Sequence, residues 1–215
     1  RATVAAGNAQ GFGLASQVNT EGGTVQTEPA KTTGVTFDSA SSSTTAITIT
    51  WTAPSGDTAT GASPILNYYI DGAESAASPS WAQVGQVSAG TTSFTATGLT
   101  GGVTYVYRVQ AVNIHGAGEV SDTLSALAAS VPEKPDAPTT TQIATGERVA
   151  WTEPVDNYWP VVEYEISVAD SSGALQVDAS LCGGSSASVI ADLYCIIPMS
   201  SLTSAPYSLP VDRRV

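Results

Sequence analysis

The two cysteines are the residues of this chain most able to form a covalent or metal-binding site. Cys182 and Cys195 are 13 positions apart (195 − 182 = 13), not at a C-x-x-C spacing, and the only histidine, His115, is distant in sequence. Because zinc needs about four ligands, a disulfide is the favoured interpretation, and two buried free thiols are the alternative. Closing a loop of this size stabilises a fold by about 3 kcal/mol in the chain-entropy model. A disulfide predicts passage through the secretory pathway.

His115 and two glycine-rich segments resemble parts of catalytic or phosphate-binding sites. The Ser and Asp nearest to His115, Ser121 and Asp122, lack the sequence context of a nucleophile elbow. Gly11-Phe12-Gly13 and Gly116-Ala117-Gly118 are followed by strand patterns, whereas a phosphate loop leads into a helix. Hairpin turns are therefore the favoured interpretation. No catalytic residue, no cofactor and no enzymatic activity are predicted.

Three acidic residues lie near one loop. Glu153, Asp156 and Glu163 do not have the spacing of a known calcium loop, and calcium requires six to eight oxygen ligands. We therefore expect solvated carboxylates and predict no metal site.

Exposed aromatic residues are candidates for contacts with a ligand or with a neighbouring module. Tyr158 and Trp159 lie before Pro160 in a predicted loop, and Trp81 lies between Ser80 and Ala82. Such rings stack on sugars or seat other domains. Packing within the chain is the alternative for all three.

Ser/Thr clusters are candidates for O-glycosylation, because Asn-x-Ser/Thr sequons are absent. Unmodified polar loops are the alternative. The candidate acceptors are Ser41, Ser42, Ser43, Thr44, Thr45, Thr139, Thr140 and Thr141.

The composition of the 215-residue chain favours strands. Hydrophobic residues make up 42% of it, so disorder is not expected, and the apolar segments are rich in β-branched residues and Tyr. The net charge of −12 argues against binding to nucleic acid. No segment approaches the ~18 apolar residues of a membrane span, so no membrane insertion is expected. Because the sequence opens at Arg1 without a signal peptide, we expect a mature fragment or part of a longer protein.

Internal repeats divide the chain. Trp51-Thr52-Ala53-Pro54 recurs as Trp151-Thr152-Glu153-Pro154, and the spacing of 100 positions (151 − 51 = 100) is the size of one small β-sandwich. Residues 64–70 likewise match residues 160–166, and both segments are predicted strands. Residues 108–118 match residues 3–13, with Asn113, Gly116 and Gly118 aligned to Asn8, Gly11 and Gly13.

The order of these matches predicts an offset register. We expect residues 1–18 to be the last two strands of one module, residues 29–128 a complete module, and residues 132–215 a module without its last strands. Residues 1–18 would then complete residues 132–215 of the preceding copy. The copies would follow one another in a continuous polypeptide or would be separate subunits that donate strands.

The repeated residues resemble fibronectin type III modules. The family pattern has a tryptophan in strand B, a tyrosine in strand C and a strand F of the form Tyr-x-x-Arg-Val-x-Ala-x-Asn, and residues 105–113 match the last element. Trp51 and Tyr68 supply the first two elements in one unit, and Trp151 and Tyr164 supply them in the other. The resemblance implies an all-β protein of tandem immunoglobulin-like β-sandwiches in which both tryptophans are buried.

A narrower resemblance concerns residues 181–199. Leu-Cys, followed by Leu-Tyr-Cys-Ile-Ile-Pro-Met, is similar to large repetitive extracellular surface proteins of ciliates and other single-celled eukaryotes. This implies a structural component of an extracellular fibre or surface appendage whose partners are copies of itself, head to tail, with possible O-linked glycans. The alternatives are a cell-surface adhesion or carbohydrate-binding module and an accessory region of a secreted enzyme.

Overall fold

The structure is a computed structural model that describes residues 1–177, 180 and 182–210. Fifteen strands and three helices occur among these residues. The strands are β1 Gly7–Asn8, β2 Gly11–Phe12, β3 Thr33–Ser43, β4 Ala46–Thr52, β5 Asn67–Glu74, β6 Ala82–Ser88, β7 Ser93–Thr97, β8 Thr104–Asn113, β9 Gly116–Ala117, β10 Leu124–Leu127, β11 Thr139–Ile143, β12 Gly146–Ala150, β13 Ser167–Ala169, β14 Leu175–Val177 and β15 Tyr194–Pro198. The helices are α1 Asp57–Thr60, α2 Ala187–Asp192 and α3 Met199–Leu202, and none of the helices described is long and apolar enough to cross a membrane.

The chain divides into two compact units. The first unit consists of Arg1–Ser41, Ala46–Gly98 and Val103–Leu127. The second consists of Ala128–Val215 with two short segments, Ser42–Thr45 and Leu99–Gly102. Each unit has its own hydrophobic residues and its own sheets.

The first unit contains a two-sheet sandwich. One sheet has the order β3-β4-β7, and the other has the order β10-β8-β5-β6, with β9 also paired to β8. In β4 every second side chain is apolar, so Ile47, Ile49 and Trp51 share one face, and all three are buried. The ring centroids of Trp51 and Tyr68 are 5.2 Å apart in an edge-to-face arrangement. The predicted burial of Trp51 is therefore confirmed.

A small hairpin precedes this sandwich. Strands β1 and β2 pair only with each other among the residues described, with Gly7 opposite Phe12 and Asn8 opposite Gly11. Most side chains of residues 1–19 are exposed, including those of Val4 and Leu14.

The second unit has a three-stranded sheet, β11-β12-β15, and a separate pair, β13-β14. The short helices α2 and α3 flank β15 in sequence, and both contribute a buried residue. The buried residues of this unit are Val149, Val168, Cys182, Val189, Cys195, Ile197, Leu202, Tyr207 and Leu209.

Two predictions for the second unit were wrong in part. Residues 160–166 were expected to form a strand, but the strand in this region is confined to Ser167–Ala169. Trp151 was expected to be buried, but it remains partly exposed and packs against the edge of the core. One physical cause accounts for both differences, because no strand equivalent to β8 lies beside this segment among the residues described. Among these residues the segment therefore has no ladder partner on that side, and Trp151 has no strand to cover its ring.

Candidate assembly site: an exposed hairpin and an uncovered core

The hairpin of residues 2–19 is closed by its own hydrogen bonds. The amide of Gly13 donates to the carbonyl of Ala6 over 2.8 Å, and the amide of Ser16 donates to the carbonyl of Val4 over 2.8 Å. The hydroxyl oxygen of Ser16 accepts from the amide of Val4 over 3.1 Å. These bonds hold the two arms together without help from another strand.

The complete sandwich contains the same set of bonds between β8 and the chain that follows it. The amide of Gly118 donates to the carbonyl of Ala111, and the amide of Ser121 donates to the carbonyl of Val109, each over 2.9 Å. The Ser121 hydroxyl accepts from the amide of Val109 over 2.9 Å. Every residue in this set is 105 positions after its counterpart in the hairpin (118 − 13, 111 − 6, 121 − 16 and 109 − 4). The two segments therefore share a backbone structure as well as a sequence pattern.

The turns of the two hairpins also agree. The side-chain oxygen of Asn8 accepts from the amide of Gln10 over 2.9 Å, and that of Asn113 accepts the corresponding amide over 2.8 Å. Gly11 and Gly116 follow with φ angles of 129° and 143°. Glycine is the residue that adopts such angles without steric cost. The Asn-x-x-Gly pattern in the sequence thus specifies this turn twice.

Burial separates the two hairpins. Val109 and Ala111 are fully buried in the complete sandwich, with 0% exposure. Their counterparts in the hairpin are exposed, and Val4 exposes 75% of its surface. The hairpin therefore exposes the face that the complete domain buries, and none of the residues described covers Val4.

The second unit has an uncovered side of its core. A hollow of about 390 Å³ lies between residues 134–138 and the partly exposed side chains of Trp151, Tyr164 and Ile166. The rings of Trp151 and Tyr164 are 5.1 Å apart, as in the pair Trp51 and Tyr68. The first unit buries the counterparts of all three side chains, whereas here they line an open hollow.

A disulfide lies in the core of the second unit. Cys182 and Cys195 are bonded, with their Cα atoms 5.7 Å apart, and both are buried. The disulfide predicted from the sequence is present. Cys195 lies on β15 opposite Val149 of β12, so the bond ties the segment after β14 to the three-stranded sheet.

A charged turn closes the β13–β14 hairpin beside the hollow. The carboxylate of Asp170 accepts from the hydroxyl and the amide of Ser172, at 2.6 and 2.8 Å, from the side chain of Gln176 at 2.9 Å, and from the amide of Ala174 at 3.0 Å. These bonds lower the pKa of Asp170 to about 2, and the bond from the Ser172 hydroxyl has the largest effect. The turn is therefore held by an ionised carboxylate at neutral pH.

The candidate aromatic contacts lie in three different environments. Trp81 is partly buried, and the guanidinium of Arg108 lies over its ring at 4.4 Å while also pairing with Asp71 at 3.0 Å. Tyr158 and Trp159 each expose 56% of their surface. Trp81 is thus a covered residue on a sheet surface, whereas Trp159 is open to solvent. The ring of Tyr158 is half-exposed and lies against Gly101 and Gly102.

The loop that carries Tyr158 and Trp159 is fixed by hydrogen bonds. Asp156 accepts from the amides of both residues, with its side chain for Tyr158 at 3.0 Å and its carbonyl for Trp159 at 3.2 Å. The side chain of Asn157 donates to the carbonyl of Val131 over 2.8 Å, and Glu133 donates to Val155 over 2.9 Å. The exposed rings therefore project from an ordered loop.

The candidate acceptors for O-glycans lie mostly in strands. Ser41, Ser42 and Ser43 are the last three residues of β3, and Thr44 and Thr45 form the turn that follows. Thr139, Thr140 and Thr141 lie in the edge strand β11, Thr139–Ile143. Thr139, Thr140 and Thr141 are all exposed, as are Ser41 and Thr45, while Ser42, Ser43 and Thr44 are partly buried. The alternative interpretation, unmodified polar loops, therefore does not describe most of these residues, and O-glycosylation stays a prediction.

The polar groups near His115 make structural bonds. Its amide donates to Asn113, and its ring nitrogen Nε2 is 3.0 Å from the side-chain oxygen of Gln26. The Ser121 hydroxyl accepts from Val109 and donates to the carbonyl of Asp122 over 2.8 Å. Among the described residues, no group of three or more His, Cys, Asp or Glu side chains is placed to hold a metal ion.

Ser16 and Ser121 are the residues of this site that the sequence pattern missed. The matching segments 3–13 and 108–118 end at Gly13 and Gly118, and the same offset continues three residues further to a serine in both copies. A serine three residues after the second glycine is a weak signal by itself. It becomes informative only when the alignment of the two segments is extended and the serine is found at the same position in both.

Comparison with known proteins identifies the complete sandwich. Residues 28–126 match the fibronectin type III domain family, so this part of the chain is a fibronectin type III domain. The family predicted from Trp51, Tyr68 and the pattern of β8 is thereby confirmed for this domain.

Solved structures with similarity to the chain include domains of titin and twitchin. Titin domains A168–A170 are 28% identical with a TM-score of 0.41, and the match covers 47% of this chain and 32% of that one. A solution structure described as the fourth FNIII domain of human origin is 20% identical with a TM-score of 0.44, covering 56% and 96%. The twitchin kinase region from C. elegans is 24% identical with a TM-score of 0.40, covering 51% and 18%. The chain thus spans less than a third of the titin and twitchin structures.

Proposed function

We propose that this chain is a non-enzymatic structural component of an extracellular fibre or surface appendage, in which fibronectin type III modules follow one another head to tail. The observation that carries the proposal is the hairpin of residues 2–19. It repeats the hydrogen bonds of the hairpin that ends the complete domain, and it exposes Val4 and Ala6 where that domain buries Val109 and Ala111. A contact that uses one surface of each copy and does not close produces an open filament.

The disulfide supports an extracellular location. Cys182 and Cys195 are bonded in the core of the second unit, and such bonds persist in oxidising compartments. The net charge of −12 suits a secreted component, because like charge keeps copies apart except at matched surfaces. The sequence around these cysteines supports a narrower form of the proposal, a repetitive surface protein like those of ciliates. O-glycans on the exposed threonines of β11 would suit the same location.

Electron microscopy of the secreted, oxidised chain tests this function. Negative staining is expected to reveal filaments whose abundance grows with protein concentration, since a non-closing contact obeys mass action. Compact particles of single-chain mass at all concentrations would contradict the proposal.

Boiling native fibres in detergent distinguishes a continuous polypeptide from separate subunits that donate strands. Separate subunits fall to 21.8 kDa, whereas a covalent repeat stays larger.

An adhesion or carbohydrate-binding function is the second candidate, and it rests on Trp159. This ring exposes 56% of its surface on a loop that hydrogen bonds hold in place, as a sugar-stacking platform requires. Screening on a glycan array tests it, with Trp159→Ala as the variant and Trp81→Ala as the control, because the Trp81 ring is covered by Arg108. Binding lost only in Trp159→Ala would favour this function. Binding that is absent, or unchanged in both variants, would exclude it.

A further inference from the structure

We propose that the hollow of the second unit is filled by the hairpin of a second copy of this chain, added as a strand along residues 163–169. We call residues 2–19 the donor hairpin and residues 163–169 the acceptor edge. The inference deepens the proposed function, on which it rests, by naming the surfaces of the head-to-tail contact and their register. The addition of a strand to an exposed sheet edge is a general mode of recognition in proteins.

The acceptor edge corresponds in sequence to a central strand of the complete domain, but most of it has no ladder partner among the residues described. It aligns with β5, which pairs along its whole length with β8. Only Ser167–Ala169 of the acceptor edge is in a ladder, and there its partner is β14. The amide of Tyr164 donates to the carbonyl of Gly184 over 3.1 Å, in the chain that continues from β14. Among the residues that the structure describes, the side occupied by β8 in the complete domain is therefore left open, and the hollow lies there.

The complete domain specifies the register. Ile70 lies opposite Val109 and Tyr68 lies opposite Ala111. The acceptor edge is 96 positions after β5 (166 − 70 and 164 − 68), and the donor hairpin is 105 positions before β8 (109 − 4 and 111 − 6). Transferring both offsets places Ile166 opposite Val4 and Tyr164 opposite Ala6. These four side chains are each more exposed than their counterparts in the complete domain.

The hydrogen bonds of the donor hairpin leave the required edge unused. Backbone groups of successive residues in a strand point to opposite sides. The backbone groups of Val4 and Ala6 point to the other arm of the hairpin, where they bond to Ser16 and Gly13. The intervening residues therefore direct theirs outward, as Arg108 and Gln110 do towards β5 in the complete domain. Ile166 and Val4 would form a non-hydrogen-bonded pair, whose Cα atoms are about 4.5 Å apart.

That distance allows a disulfide cross-link as a test. Val4→Cys and Ile166→Cys chains are prepared separately, mixed in equal amounts and oxidised mildly, so only an intermolecular contact can join positions 4 and 166. The matched control replaces Val4→Cys with Ala5→Cys, because a slip of one residue turns the side chain to the opposite face. Peptide mapping is expected to find about tenfold more cross-link from position 4 than from position 5. Equal yields, or no 4–166 peptide, would overturn the inference.

A second pair of variants changes only exposed residues, so folding is not at risk. Val4→Asp would place a charge in the hollow, whereas Leu14→Asp adds the same charge at a side chain that is 99% exposed. The counterpart of Leu14 in the complete domain is Glu119, already an exposed carboxylate (119 − 14 = 105). Sedimentation velocity is expected to give at least about tenfold weaker self-association for Val4→Asp, from the cost of burying an unpaired charge, and wild-type association for Leu14→Asp. Equal association of the two variants would also overturn the inference.

The two proposals fail separately. Filaments without a 4–166 cross-link would leave the fibre in place and refute the donor hairpin. Cross-linked pairs without filaments would support the donor hairpin and refute the fibre.

Discussion

Replacing Ser121 with alanine removes a hydroxyl that closes the last hairpin of the fibronectin type III domain. The hydroxyl accepts from the amide of Val109 over 2.9 Å and donates to the carbonyl of Asp122 over 2.8 Å. Ser121 exposes 6% of its surface and Val109 exposes none. In Ser121→Ala the Val109 amide therefore loses its acceptor at a place that water does not reach.

The expected cost follows from this burial. A buried donor left without a partner destabilises a fold by about 1–3 kcal/mol. Since 1.4 kcal/mol corresponds to a factor of ten, the unfolding equilibrium of the first unit should rise by about 5- to 150-fold. Ser16→Ala removes the same hydroxyl in the same hairpin geometry, but Ser16 and Val4 are exposed. Water can replace the lost bond there, so a change within about 0.5 kcal/mol is expected.

Hydrogen exchange measures the two variants in the full chain. The free energy of unfolding of the first unit is obtained from the urea dependence of exchange in peptides from β8, Thr104–Asn113. Following peptides of one unit avoids treating the whole chain as two-state. Ser121→Thr, which keeps the hydroxyl, should recover part of the loss. The reasoning is refuted if Ser121→Ala costs less than about 0.5 kcal/mol, or if Ser16→Ala destabilises the first unit as much.

Replacing both Cys182 and Cys195 by alanine should lower the free energy of unfolding of the second unit by about 3 kcal/mol, measured by its urea midpoint; an unchanged midpoint would contradict the disulfide's role. Tyr107→Phe should raise the stability of the first unit by about 1 kcal/mol at pH 7, because the buried hydroxyl of Tyr107 has no partner among the described residues. Burial also raises the pKa of Tyr107 to about 12, so wild-type stability should fall as pH rises from about 10 through 12. The slope should be shallower in the variant, which keeps the contribution of Tyr68, whose pKa burial also raises. The lowered pKa of Asp170 keeps its turn fully stabilised above about pH 4, and this stabilisation should disappear as pH falls through about 2. An NMR titration of the Asp170 carboxyl carbon measures the midpoint, and Ser172→Ala should move that midpoint upward.

The features that the sequence predicted are those specified by local chemistry or by repetition. Asn-x-x-Gly specifies a turn because only glycine tolerates the φ angle that follows. The alternation before Trp51 specifies one buried face. Cys182 and Cys195 had no other thiol to pair with. Each of these predictions needed only neighbouring residues or a count.

The features that the sequence did not predict depend on contacts distant along the chain. Residues 161–166 alternate like a strand, yet a strand also needs a neighbour to complete its ladder. Helix α2, Ala187–Asp192, is too short for a helical period to appear in the sequence, and its cap is one serine, Ser186, which accepts from Val189 over 3.4 Å. The partial exposure of Trp151 likewise reflects the lack of a covering strand within the described part of the chain, not its residue type.

The internal bonds of the donor hairpin bear on how readily it would be added to another copy. A segment that must fold as it binds loses conformational entropy at that moment and binds more weakly for its contact area. The donor hairpin is already closed by the bonds between Val4 and Ser16 and between Ala6 and Gly13. Only the side chains that enter the hollow would then lose freedom, and such preorganisation raises affinity without any new contact. The backbone bonds that close the last hairpin of the complete domain would thus, in the donor hairpin, prepare it for assembly.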